Sequence, residues 1–245
     1  MAERRKLAAT DTALIWERPE RARRPVPAPL SREGIVSAAV AIADAEGLAS
    51  VSLRKVAAAL DAGPMRLYGY VSTKVELLDL MVDAVYGEMI LAEPAPTSWR
   101  YALRSIAHGV RQAVRRHGWF IDLLGGRPHQ GPNALAHLEA SLAAVCGAPG
   151  FEDIDTVMQV CMTVNAYVIG AVQSEAAERL AERESGLDKR AWQIASAPYI
   201  QRMIATGRFP MIEKVVSDAT HPSPDTVFEQ GLECILDGIE ARLSR

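Results

Sequence analysis

The sequence is poor in cysteine and in aromatic residues, and each shortage excludes a class of protein. The three cysteines, Cys146, Cys161 and Cys234, are far apart and form neither a CxxC pair nor a metal-ligand spacing. We therefore expect small, buried hydrophobic side chains in a reducing cytoplasm rather than disulfides, a zinc site or a redox sensor. Aromatic residues make up 6% of the chain. The abundant alanine and leucine favour helices over strands.

Features of secretion, membrane insertion and catalysis are also missing. The first residues are charged and contain no apolar signal segment. The longest apolar run, Val160–Val172, is too short to cross a bilayer and includes Thr163 and Asn165. These absences predict a cytoplasmic protein. No nucleophile–base pair or phosphate loop supports an enzyme, and we expect no cofactor and no metal because the histidines have no recognised ligand spacing; they are His108, His117, His129, His137 and His221.

Charge is distributed unevenly along the chain. Residues 1–74 carry 12 lysines and arginines against 8 acidic residues, whereas residues 75–245 carry 15 against 22. This asymmetry predicts a polyanionic partner at one end only. Residues 1–30 hold seven basic residues and four prolines, and the run 25–29 cannot be helical. This arm either contacts DNA phosphates or a minor groove, or it is a solvated tail.

Helical periodicity predicts an all-α fold of about ten helices in two domains, residues 31–75 and residues 76–245. In the smaller domain, Ser31 and Ser52 are predicted N-caps of the first two helices. Residues 61–63 form a tight turn before a short third helix. Two short helices joined in this way are typical of a helix-turn-helix, which presents its second helix to the DNA major groove.

Proline and glycine mark the start of the third helix. Pro64 suits the first position of that helix. We expect Gly63, directly before it, to supply backbone angles that other residues resist. Leu67 is the predicted core anchor, which leaves the remaining side chains of this helix facing outward.

The larger domain is predicted to contain the remaining helices. A capping box at residues 73–76 begins a fourth helix that runs to about Leu91. Further helices are predicted at about 98–116, 119–124, 132–146, 152–184, 189–205 and 224–243. The helices at 152–184 and 224–243 have broad apolar surfaces, and the second also carries Gly231, Cys234 and Gly238, which permit close approach. We expect a symmetric four-helix homodimer interface; the alternative is that these helices close the monomer core.

Two sequence patterns resemble a known family. Residues 54–60 read Arg-Lys-Val-Ala-Ala-Ala-Leu, and residues 67–78 read Leu-Tyr-Gly-Tyr-Val-Ser-Thr-Lys-Val-Glu-Leu-Leu. In combination they resemble the DNA-binding domain of the TetR family of bacterial repressors over residues 31–80. The rest of the chain resembles, more loosely, the tetracycline-repressor type of C-terminal domain; the matching residues are 98–99, 124–128, 138–139 and Gly170.

The resemblance implies a homodimer whose third helices enter successive major grooves of a palindromic DNA operator. It assigns DNA contacts to Arg54, Pro64, Met65, Arg66, Tyr68, Tyr70 and Lys74. Arg66 is the only long donor near the start of the recognition helix, so we expect a bidentate contact with guanine. Tyr68, Arg54 and Lys74 can reach phosphates, and Tyr70 can do either. Gly69 stands where relatives often carry a larger side chain, so fewer side chains read the sequence.

The resemblance also implies a small-molecule effector that binds in the larger domain and releases DNA. Ile90, Ile106 and Leu123 stand where tetracycline repressors place polar side chains for ligand and magnesium. Aliphatic side chains cannot bind Mg²⁺, so we expect a small, largely apolar effector other than tetracycline–Mg²⁺. The candidate pocket residues are His108, Arg127, His137, Met158, Met162 and Asn165, with Gln173 as a further polar candidate.

Asn165 interrupts the apolar stripe of the long helix. An unpaired buried amide is costly, so Asn165 faces a ligand, a backbone carbonyl or its mate in a dimer.

Three functions are compatible with these features. The first is a ligand-responsive transcriptional repressor. The second is a helix-turn-helix DNA-binding protein without a small-molecule effector, regulated by a partner or constitutive. The third is an all-helical enzyme. A cavity in the larger domain would favour the first, a cavity-free body the second, and turnover without DNA the third.

Overall fold

The fold is built entirely from helices in the part of the chain that the structure describes. This computed structural model describes residues 30–89 and 98–243, so residues 1–29 of the basic arm and Ile90 lie outside it. Ten α-helices and two 3-10 helices occupy the described residues, which confirms the all-α prediction. The α-helices are α1 Arg32–Glu46, α2 Leu53–Ala59, α3 Pro64–Leu67, α4 Lys74–Glu88, α5 Trp99–Arg116, α6 Pro132–Ala143, α7 Ile154–Ser185, α8 Lys189–Ile204, α9 Pro210–Asp218 and α10 Pro224–Leu243. The 3-10 helices are Leu48–Ser50 and Gly118–Leu123.

Side-chain caps fix the first residues of α1, α2 and α4. The hydroxyls of Ser31 and Ser52 accept hydrogen bonds from the backbone amides of Gly34 at 3.0 Å and Lys55 at 3.2 Å. Thr73 caps α4 in the same way, with 3.1 Å to the amide of Glu76. Each hydroxyl pairs an amide that has no partner within its helix. The predicted caps of these helices are therefore confirmed.

The turn before α3 differs from the prediction. Gly63 has φ −69° and ψ 138°, which are ordinary extended angles. The positive φ falls instead on Asp61, at 47°. Aspartate tolerates this left-handed region better than most residues do. The expectation that Gly63 supplies the unusual backbone was wrong, because the chain reverses two residues earlier.

Two helix boundaries and one whole helix differ from the prediction. The fourth helix ends at Glu88 rather than near Leu91, and α6 ends at Ala143 rather than Cys146. α9 was not predicted, although Pro210 stands at its first position and its apolar residues recur at helical spacing; they are Met211, Ile212, Val215 and Val216, and all four are exposed. The expectation of buried cysteines was wrong for Cys146 and Cys234, which are exposed.

The core of the larger domain lies where α5, α7 and α10 pack. α7 directs one valine row inward, formed by Val157, Val160, Val164, Val168 and Val172. α10 contributes Phe228, Leu232, Leu236 and Ile239 to the same core. The Tyr167 hydroxyl on α7 donates a 2.7 Å hydrogen bond to the Phe228 carbonyl on α10. This spacing of apolar residues places each row on a single helix face.

A ladder of ion pairs joins α5 to α10. The basic members on α5 are Arg100, Arg104, His108, Arg111 and Arg115, and their partners on α10 are Asp225, Glu229, Glu233, Asp237 and Glu240. Buried Arg111 also binds Glu175 of α7, 2.9 Å from its Nε, and its guanidinium lies 4.2 Å from the centre of the Phe228 ring. The ladder therefore fixes α10 against α5 and α7.

We expect one member of this ladder, Asp225, to make stability depend on pH. The hydrogen bond and charge of Arg115, followed by the charge of Arg111, hold the pKa of Asp225 below its usual value. A carboxylate with a depressed pKa stabilises the fold above its unfolded pKa of about 4, and this stabilisation is lost as pH falls through the folded value. The thermal unfolding midpoint of Asp225→Asn should therefore rise less between pH 3 and pH 6 than that of the unmodified protein.

The matched control is Asp218→Asn on α9, since Asp218 makes no ion pair with the described residues. Equal pH slopes for Asp225→Asn and the unmodified protein would contradict the assignment.

Candidate DNA-reading face and ligand cavity

The outer face of α3 consists of side chains that contribute little to the fold. Leu67 is completely buried and anchors the four-residue helix, whereas Met65 is 80% exposed. Tyr68 and Tyr70 are 49% and 42% exposed. Large apolar and aromatic side chains held in solvent are typical of a contact surface.

The seven predicted DNA-contact residues are all exposed, and they lie on α2, on α4 and on α3 with its C-terminal turn. Arg54, Arg66 and Lys74 make no ion pair with the described residues. Lys55 differs, because its ammonium pairs with Glu46. Three cations without internal partners are suited to phosphates or base edges. Lys74 also stands at the first position of α4, where the helix dipole favours anions.

A buried histidine links the end of α5 to α1 and α4. His117, at the end of α5, places Nδ1 2.8 Å from Asp44 of α1 and Nε2 3.2 Å from Glu88 of α4. Trp119 Nε1 donates a 2.7 Å hydrogen bond to the same Asp44 carboxylate. These residues are separated by up to 75 positions, and sequence reasoning missed the link because no local pattern indicates it.

A second link joins α4 to α6. The largely buried Asp83 carboxylate accepts hydrogen bonds from the backbone amides of Asn133 and Ala134, both at 2.9 Å. It therefore caps the N-terminus of α6 from another helix, a favourable place for a negative charge. The Asn133 side-chain amide also donates 3.1 Å hydrogen bonds to the carboxylate and the backbone carbonyl of Asp83. We call this set of contacts the α4–α6 clasp.

A cavity of about 370 Å³ lies between α4, α5, α6, α7 and residues 124–129. Its apolar lining includes Leu103, Ile106, Ala107, Val110, Leu138, Leu142, Met158, Met162, Val164, Val168 and Ile169. Its polar lining is formed by Tyr86, Arg127, His129, His137, Ser141, Cys161 and Asn165. This size and composition suit a small organic molecule with a few polar groups.

Five of the six predicted pocket residues line this cavity: Arg127, His137, Met158, Met162 and Asn165. His108 does not. It turns towards α10, where Nε2 lies 3.2 Å from Glu229 and the ring packs on Phe228. The helical period explains the difference, because the neighbouring Ala107 occupies the cavity face of α5.

The structure also disagrees with two other expectations about the pocket. Gln173 is exposed and lies outside the lining. Ile106 forms part of the wall, as the family comparison implied, but Leu124 lines the cavity where Leu123 was expected. The polar lining residues that sequence reasoning missed are Tyr86, His129, Ser141 and Cys161. In the sequence, only the aromatic ring of Tyr86 and the imidazole of His129 could have suggested a role in ligand binding.

The polar groups of the cavity are largely neutral. Burial raises the pKa of the Tyr86 phenol and of the Cys161 thiol, so both keep their protons at neutral pH. Burial also lowers the pKa of His137, against a smaller opposing effect of a hydrogen bond to the Met89 backbone. Arg127 is the one lysine, arginine, aspartate or glutamate side chain among the described lining residues. No group of three potential metal ligands was found among the residues that the structure describes.

Comparison with known proteins identifies the family of the larger domain and relatives that match most of the chain. Residues 93–243 match the family model of the tetracyclin repressor-like C-terminal domain. The chain is 37% identical over 238 residues to the HTH-type transcriptional repressor DrrR1 of Streptomyces coeruleorubidus, covering 95% of this chain and 85% of that protein. It is 26% identical to the class E tetracycline repressor protein of Escherichia coli, with coverage of 87% and 92%.

A solved structure shows the same architecture. The Streptomyces coelicolor TetR family protein ActR, in complex with actinorhodin, superposes with a TM-score of 0.73 at 27% identity, covering 87% of this chain and 97% of that one. DrrR1 and the tetracycline repressor protein are repressors. This chain belongs to the TetR family of ligand-responsive transcriptional regulators, with a tetracycline-repressor-like C-terminal domain.

Proposed function

We propose that this protein binds a palindromic operator as a homodimer and releases it when a small, largely apolar molecule occupies the cavity. The observation that carries this proposal is that one helix serves both sites. α4 begins at Lys74 on the DNA-reading face and contributes Tyr86 to the cavity wall. A ligand that favours one position of α4 therefore changes the affinity for DNA, as linkage requires.

We assign residues 31–75 to DNA binding and residues 76–245 to ligand binding and dimerisation. In the first domain, Arg66 and Met65 are proposed to read bases from the start of α3, with Tyr70 beside them. Arg54, Tyr68 and Lys74 are proposed to position the dimer on phosphates, and Pro64 to touch the backbone. Exposure of all seven side chains supports this assignment.

The dimer interface is proposed to form from α7 and α10. On α7, Ile154 and Met162 are 59% and 64% exposed although the valine row behind them is buried. On α10, Val227, Cys234 and Gly238 are exposed at helical spacing. Gly231 serves the monomer instead, because a Cβ there would lie 2.3 Å from the Tyr167 hydroxyl.

By length and composition, α7 is also apolar enough to cross a membrane. An 18-residue window of it has mean hydropathy 1.2, and 22% of that window is buried. The expectation that the apolar run Val160–Val172 is too short to cross a bilayer concerned that run alone, whereas the 32-residue helix that contains it is long enough. We assign the apolar surface of α7 to the core, the cavity and the second subunit, and we place the protein in the cytoplasm.

A charge at the α10 surface should separate the subunits. At Gly238, no described atom lies within 4 Å of the position that a Cβ would take, so an arginine fits the isolated chain but would be buried without a partner between two α10 helices. We expect Gly238→Arg to sediment as a monomer at micromolar concentration and to lose at least tenfold in operator affinity. Thr220→Arg, which adds the same charge on the exposed loop before α10, is the control. A dimeric Gly238→Arg protein would contradict the assigned interface.

The cavity also favours an effector-regulated protein over a helix-turn-helix protein without an effector. Its volume of about 370 Å³ and its mostly apolar wall support a small ligand. ActR was solved with actinorhodin, and its similarity supports placing the effector of this chain in the corresponding domain. The aliphatic Ile106 in the wall and the absence of a metal-binding group among the described residues support an effector other than tetracycline–Mg²⁺.

A further inference from the structure

The cavity wall contains one buried polar atom whose hydrogen-bonding capacity is not used. Nδ1 of His137 is shielded from water and has no hydrogen-bond partner among the described residues. Nearly all buried polar atoms in folded proteins are paired, so an exception inside a binding cavity indicates a partner supplied by a ligand. Two neighbouring polar groups already have hydrogen-bond partners. His129 Nε2 lies 3.0 Å from the Leu123 carbonyl, and the Ser141 hydroxyl donates to the His137 carbonyl at 2.7 Å.

The surroundings of His137 determine which ring nitrogen carries the proton. The ring is hydrogen-bonded to the Met89 backbone, and since Nδ1 has no partner, this bond uses Nε2 as the donor. Burial lowers the pKa of His137, so the ring is neutral at physiological pH. A neutral imidazole with its proton on Nε2 has a lone pair on Nδ1. The unused ring nitrogen is therefore an acceptor, and it requires a donor.

An aromatic ring, that of Tyr86, lies next to His137. The Tyr86 ring centre lies 5.4 Å from that of His137 and 6.1 Å from that of His129. The sulfur atoms of Cys161, Met158 and Met162 belong to the same cavity lining. Aromatic and sulfur-containing side chains pack favourably against a flat π-system.

We propose that the effector is an uncharged aromatic molecule whose hydroxyl group donates a hydrogen bond to Nδ1 of His137. The proposal rests on the cavity being the effector site, as proposed above, and it adds the chemical class of the ligand and its polar anchor. His137 borders both this cavity and a smaller one next to Glu88 and Arg116. Because Nδ1 is shielded in this structure, the proposed complex requires the ring to turn about its Cβ–Cγ bond until Nδ1 faces the larger cavity.

The test compares two probes that differ only in the donor, 2-naphthol and its ether 2-methoxynaphthalene. We expect the full-length dimer to bind the naphthol about tenfold more tightly than the ether, because only the naphthol satisfies the buried acceptor. In His137→Phe, which keeps an aromatic ring without the acceptor, the two affinities should become equal. In His137→Gln, whose amide oxygen is an acceptor, part of the preference should return. Binding is measured by titration calorimetry, and thermal unfolding checks that each variant is folded.

His129→Phe is the matched control, since it removes a second histidine from the same wall, and the preference for naphthol should persist there. Equal affinities of the unmodified protein for the two probes, or an undiminished preference in His137→Phe, would overturn the role of His137 while leaving the cavity as a binding site. Failure of both probes to bind any form would overturn the aromatic class. If, in addition, no small molecule released the protein from its operator, the proposed function itself would fail.

Discussion

Replacing Gly131 with alanine is expected to lower the thermal midpoint by about 5–10 °C, the largest stability effect we predict for a single methyl group. A Cβ at this position would lie 2.2 Å from Oδ1 and 2.4 Å from Cγ of Asp83. The carboxylate cannot retreat without giving up its hydrogen bonds to Asn133 and Ala134. Overpacking and a lost charged cap together cost about 3 kcal/mol.

The effect should extend beyond stability because the α4–α6 clasp connects the two sites. α6 carries His137 and Leu138 into the cavity wall, whereas α4 leads to the DNA-reading face. A strained clasp should therefore weaken the coupling between ligand binding and DNA release. Gly118→Ala is the control, since Gly118 lines neither cavity and nothing beyond its chain neighbours lies within 4 Å of a Cβ there. A midpoint for Gly131→Ala within about 1 °C of that control, an order-of-magnitude bound on surface effects, would show that the clasp is not rigid.

Replacing Arg66 with alanine is expected to remove most of the preference for operator over unrelated DNA. Arg66 is exposed near the start of α3 and makes no ion pair with other described residues. A bidentate arginine–guanine contact contributes about 1–3 kcal/mol of discrimination per half-site. Two half-sites together lose about 2–6 kcal/mol, so the ratio of specific to non-specific affinity should fall by about 30-fold to more than 10,000-fold in the dimer, while non-specific binding changes little. Fluorescence anisotropy with operator and scrambled duplexes measures both.

Lys74→Ala is the informative comparison for Arg66. As a phosphate contact, Lys74 should contribute equally to both duplexes, and its loss should reduce the slope of log affinity against log salt by about one per contact. If Arg66→Ala weakens both duplexes equally, as expected for Lys74→Ala, then Arg66 also contacts phosphate and the proposed reading of bases is wrong.

The sequence was most informative where structure depends on neighbouring residues. Ser31, Ser52 and Thr73 could be recognised as caps because each pairs an amide three residues ahead. The bounds of α7 and α10 followed from apolar periodicity and from Pro224 at the start of α10. α9 was missed although Met211, Ile212, Val215 and Val216 recur at helical spacing, because its nine residues offer only a short pattern.

The contacts that connect the two sites could not be predicted because they join distant parts of the chain. Asp83 meets Asn133 across 50 positions, and His117 meets Asp44 across 73. Each looks like an ordinary helix-surface residue in the sequence. His108 illustrates the converse error, since a histidine on an apolar helix suggested a cavity although one step around α5 directs it to Glu229.

The central claim is that paired α3 helices of a dimer read DNA. Selection of bound duplexes from a random library by the full-length protein tests it most directly, and also supplies the operator for the Arg66 comparison. The account predicts an inverted repeat whose half-sites lie about one helical turn apart, roughly 10 base pairs, with the enrichment lost in Arg66→Ala. An unenriched library, or a single half-site without symmetry, would contradict it.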